Sequence, residues 1–135
     1  MLLHRIFAIR FFMACLLGAL VAACGTSSSS SPPESTVKDF YKAIADNRID
    51  NAMALVLIED VKDNELTAAQ QIMLGMLFSE IEKDGGLKSI DTKVITQEGD
   101  VAVVEVTLTF GNGEKWNAGK SVLVKKDGHW KIQFI

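Results

Sequence analysis

The sequence predicts an α+β domain in which three N-terminal helices pack on a curved four-stranded antiparallel sheet. Three observations predict it. Apolar residues recur at helical spacing up to about residue 83, they alternate from Leu87 onward, and short glycine-containing turns divide the alternating part. At 135 residues, 48% hydrophobic and 23% charged, the chain is long enough for one domain and short for two.

The first element is an address rather than a piece of the fold. His4, Arg5 and Arg10 precede an apolar core from Phe11 to Ala23 that is too short to cross a bilayer comfortably, and residues 1–23 read as an export signal. Leu20-Val21-Ala22-Ala23-Cys24-Gly25 then resembles the bacterial lipobox. That resemblance implies cleavage between Ala23 and Cys24 and a diacylglycerol on the Cys24 sulfur. It also implies a further acyl chain, such as palmitate, on the new amino group. Two or more chains give stable anchoring where one does not. Gly25 in place of an Asp implies the outer rather than the inner membrane of a two-membrane envelope with a periplasm, or, in a host with one membrane, the outer face of that membrane. Residues 24–33 form a Ser-rich tether closed by Pro32-Pro33; its seven flexible residues span ~15 Å on average. The domain is expected over residues 34–135.

Within the domain, Val37, Phe40, Tyr41 and Ile44 share one face of a helix over residues 34–45, started by Pro33 and Glu34 and stopped at Asp46-Asn47. A short helix over 50–57 turns Ile49, Met53, Val56 and Leu57 inward. A third, over 67–83, is apolar nearly all round in its middle, which predicts cover on more than one side; Asp84-Gly85-Gly86 ends it.

Four strands follow. Ile90, Thr92, Val94 and Thr96 alternate, as do Ala102, Val104, Val106, Leu108 and Phe110; Trp116, Ala118, Val122 and Val124 share a parity, and Trp130, Ile132 and Phe134 complete the set. Glu98-Gly99-Asp100, Gly111-Asn112-Gly113 and Asp127-Gly128 are connections short enough to force antiparallel neighbours.

Val37-Lys38-Asp39-Phe40-Tyr41-Lys42-Ala43-Ile44, Asp84-Gly85-Gly86-Leu87 and Asp127-Gly128-His129-Trp130-Lys131-Ile132 together resemble a family of bacterial lipoproteins, domain of unknown function 4878. That family is similar to the nuclear-transport-factor-2-like superfamily, in which a curved sheet wraps a helix to form a cone with a pocket. The shared motifs specify packing and leave chemistry open, because the superfamily includes isomerases, dehydratases, ligand carriers and dimerisation domains.

Composition narrows the chemistry. Without Arg5 and Arg10, the part from Cys24 onward carries 12 basic against 17 acidic side chains, a net −5, which disfavours nucleic acid. Past Cys24 there is no cysteine and one histidine, His129, so neither a disulfide nor a zinc site is expected, and no cofactor motif occurs. His129 is expected as an exposed strand residue, and no inward carboxylate pair is found. The domain is therefore expected to be non-catalytic. If the superfamily's enzymatic side applied, the pocket Tyr41 would be the acid–base or oxyanion group.

Two binding readings stay open. Phe40, Tyr41, Met53, Met73, Met76, Phe78, Phe110, Trp116 and Trp130 either line a cavity for a small apolar ligand or fill the core. The outer sheet face, with Val103, Glu105, Thr107 and Thr109, offers a surface for a homodimer or an envelope protein partner.

Overall fold

A computed structural model of the protein describes residues 31–58 and 64–134. The export signal, Cys24 and most of the tether lie outside the described residues.

Helix α1 (Pro33–Ala45) starts with proline at its first position and Glu34 in its first turn. Asn47, at φ 56°, closes it: the Arg48 N–H donates to the Ala43 carbonyl at 2.7 Å and the Asn47 N–H to the Ile44 carbonyl at 2.9 Å. Val37 and Ile44 are fully buried, as their spacing requires.

Helix α2 (Ile49–Met53) is shorter than expected, and Val56 and Leu57 leave it to become strand β1 (Val56–Leu57). The cause is non-local. β1 runs parallel to strand β5 (His129–Gln133), Val56 against Ile132, and the Ile132 N–H donates to the Leu55 carbonyl at 2.8 Å.

Helix α3 (Asn64–Lys83) ends as the glycines foretell, with the Gly86 N–H on the Ile81 carbonyl and the Gly85 N–H on that of Glu82. Strands β2 (Leu87–Glu98), β3 (Val101–Phe110) and β4 (Lys115–Lys126) follow. The sheet is therefore five-stranded and mixed, in the order β1-β5-β4-β3-β2, where four antiparallel strands are expected.

β3 sits between β2 and β4 and buries every alternate residue from Ala102 to Phe110. In β4 the expected parity fails. Val106 pairs with Gly119 but Thr107 with Asn117, so Ala118 is an extra residue. Beyond this bulge Leu123 faces the core, fully buried, and Val122 and Val124 turn to the outer face. Gly119 sits at φ +84°, a conformation that favours glycine. A second irregularity frees Ile95 in β2.

The helices do not all lie on the sheet. α1 contacts β2, β3 and β5, whereas α2 and α3 pack chiefly on α1 and each other. A single core joins α1, α2, Leu74 and Ile81 of α3, and the inward faces of β3, β4 and β5.

Candidate functional site

The aromatic and methionine residues expected around one pocket separate into two groups, with Phe78 between them, partly buried against the core. Phe40, Tyr41, Phe110 and Trp130 are buried, as is Met53. Phe40 and Tyr41 meet edge to face at 5.3 Å, and the Lys125 ammonium lies 5.7 Å from the Trp130 ring. Burial raises the Tyr41 phenol above its ordinary pKa of 10.0, the opposite of what a general base needs.

Met73, Met76 and Trp116 are instead exposed by 48%, 66% and 45%. α3 inserts Leu74 and Ile81, seven residues apart, and that single stripe leaves Ile72, Met73 and Met76 on the opposite face. The expectation of cover on several sides of this helix is thus not met. Trp116 stands where β4 has β3 as a neighbour but β5 does not reach, since the β4–β5 pairing begins at Val122.

Phe110 and Trp116 do meet. With Leu77 and Ile81 they floor a groove of about 370 Å³ between the end of α3 and the β3–β4 turn, rimmed by Glu80, Asp84, Glu114 and Lys115. A backbone-to-backbone clip ties the two sides of the groove, the end of α3 and the β3–β4 turn, together. The Gly111 N–H donates to the Gly86 carbonyl at 2.9 Å and the Asn112 N–H to that of Asp84 at 3.0 Å. A Cβ on Gly111 would collide with the Gly85 carbonyl, so glycine is required there. The alternation of β3 brings Phe110 inward; of the acidic rim, Glu80 and Asp84 stand four residues apart at the end of α3, and Glu114 joins them from the β3–β4 turn only through the fold.

A second concavity, also missed by sequence reasoning, lies between the outer side of α1 and the start of β2. Lys38, Lys42 and Lys88 surround about 390 Å³ over Leu87 and Ile90. The i, i+4 spacing of Lys38 and Lys42 is visible in the sequence, but Lys88 joins them only through the fold.

On the outer sheet face, Val103, Glu105 and Thr107 are half-buried, with Glu105 in register between Lys93 and Lys120. Thr109, expected there as surface, is buried between Ser89 and Lys115 on the flanking strands. His129 is exposed, opposite Lys126 in register. Among the described residues no group of three His, Cys, Asp or Glu is placed to hold a metal ion. No helix among them is long and apolar enough to cross a membrane.

No family model and no curated protein matches the chain. Among solved structures it is similar to a Campylobacter jejuni protein described as a candidate NTF2-like transpeptidase. The two share 22% identity with a TM-score of 0.70, over 78% of this chain and 100% of that one. The fold is therefore nuclear-transport-factor-2-like.

Proposed function

We propose that this chain, taking the nuclear-transport-factor-2-like fold as premise, is a bacterial envelope lipoprotein held on a membrane through Cys24, whose domain is a non-catalytic interaction module. The reading includes membership of the lipoprotein family named above. One observation carries the interaction half: Ile72, Met73 and Met76 stand in solvent, while Phe40, Tyr41 and Trp130 fill the interior where a ligand would otherwise sit. Apolar side chains grouped on an unpartnered surface mark a contact site more often than a catalytic one.

The anchor half rests on the lipobox. Growth with a fatty-acid analogue should label the wild-type chain, and Cys24→Ser should abolish the label and leave an uncleaved precursor. For the interaction half, photo-crosslinkers at Met73 and Met76 should capture a defined partner, and one at Lys120 should not. Equal yield at all three positions would sink that half.

A second reading is favoured by the groove at Phe110 and Trp116, whose apolar floor and carboxylate rim suit a small apolar ligand bearing a positive charge. It predicts that Trp116→Ala loses the bound molecule and keeps the fold. The transpeptidase description belongs to the C. jejuni protein, and a likeness at 22% identity carries the fold and not that activity.

A further inference from the structure

Three lysines converge on the concavity beside α1. Lys38 and Lys42 stand one turn apart on the helix, a like-charged spacing that disfavours it, and Lys88 adds a third charge from β2. All three are exposed. Asp39 lines the same concavity, but among the described residues none of the three lysines forms an ion pair. In a domain that carries an excess of acidic side chains, this is a local inversion of charge. Ser35 and Ser89 add hydroxyl donors, and Leu87 and Ile90 give an apolar floor. Cations, hydroxyls and an apolar base are the donor set of a site for an anionic phosphate attached to a carbon skeleton.

Its position in the chain names the source. Ser35 belongs to the first turn of α1, three residues from Pro32, so the concavity begins within one helical turn of the end of the tether, whose Ser31 lies toward Gly128 and His129. A tether averaging ~15 Å holds that point close to the bilayer. We infer that Lys38, Lys42 and Lys88 form a cradle for the phosphate of an anionic phospholipid headgroup, which orients the domain on the membrane that anchors it. The inference rests on the lipid-anchor reading for the source of the phosphate, and on the geometry alone for the cradle.

The test uses the lipidated chain in discs of phosphatidylcholine, with and without phosphatidylglycerol, and an amine-acetylating reagent read residue by residue by mass spectrometry. Acetylation of Lys38, Lys42 and Lys88 is expected to slow by about tenfold with phosphatidylglycerol, and raised salt should restore it. Lys93 and Lys120 on the far sheet face should not change. Lys38→Gln with Lys42→Gln should remove the protection of Lys88 while circular dichroism stays native. Equal labelling in both discs overturns the cradle. Protection by inorganic phosphate in plain phosphatidylcholine discs overturns the lipid assignment in favour of a free anion. If the purified chain carries no lipid mass, the anchor reading fails separately. Soluble short-chain phosphatidylglycerol then decides the cradle, its protection supporting the site and its inertness overturning it.

Discussion

β3 and α3 are both rich in apolar residues, and the fold treats them in opposite ways. β3 buries Ala102, Val104, Val106, Leu108 and Phe110, whereas α3 buries Leu74 and Ile81 and leaves Ile72, Met73 and Met76 in water. The difference lies in the neighbours. A strand between two paired strands has its inward face set by the pleat, and α1 covers that face. A helix that packs on other helices buries only the stripe it turns to them. Apolar content says how much a segment gains by being covered, and topology decides whether a cover exists.

The largest effect expected from this contrast is in β3. Leu108→Ala should cost about 2–5 kcal/mol in urea unfolding, against about 0.5 kcal/mol or less for Met76→Ala. Similar costs at the two sites would break the comparison. Next comes the clip that joins the end of α3 to the β3–β4 turn: Gly111→Ala should destabilise by about 1–3 kcal/mol, because the clash is with backbone that cannot rotate away. In β4, Gly119→Ala should cost about 1 kcal/mol through its positive φ, without touching the core.

The smallest effect is at Tyr41. Its pKa is raised on folding, so its contribution is fully present below 10.0 and is lost as pH rises toward the folded value, the unfolded chain releasing its proton first. Tyr41→Phe should leave stability at pH 7 nearly unchanged and flatten part of the alkaline decline. A decline of unchanged slope would place the phenol in solvent and set α1 beside α3 as a loosely covered helix.

What could be read in the sequence was what is decided locally. The face of α1, its stop at Asn47, the glycine end of α3, the alternation of β3 and the Asp127-Gly128 hairpin depend on residues a few positions apart. Three features depend on distant partners and were missed. Val56-Leu57 is a strand only because Ile132 is beside it, and Ala118 is a bulge only against Val106 and Thr107. Met73 and Met76 are outside only because α1 and α2 take the other side of α3. The candidate sites divide in the same way. Phe110 and Trp116 were both singled out, but neither the carboxylates around them nor Lys88 beside Lys38 could be placed without the fold.

The parallel pairing of Val56 with Ile132 also fixes an order of events. β1 precedes α3 and the three long strands, and its partner follows them all, so one sheet edge stays open until β5 has been made. Trp130 and Ile132 arrive with that strand, and until then the core lacks two of its buried side chains. Contacts this distant in sequence form slowly. A nascent chain therefore cannot complete its core until β5 has been made; for a chain exported as proposed above, that is the condition in which a polypeptide can still be threaded through a secretion channel.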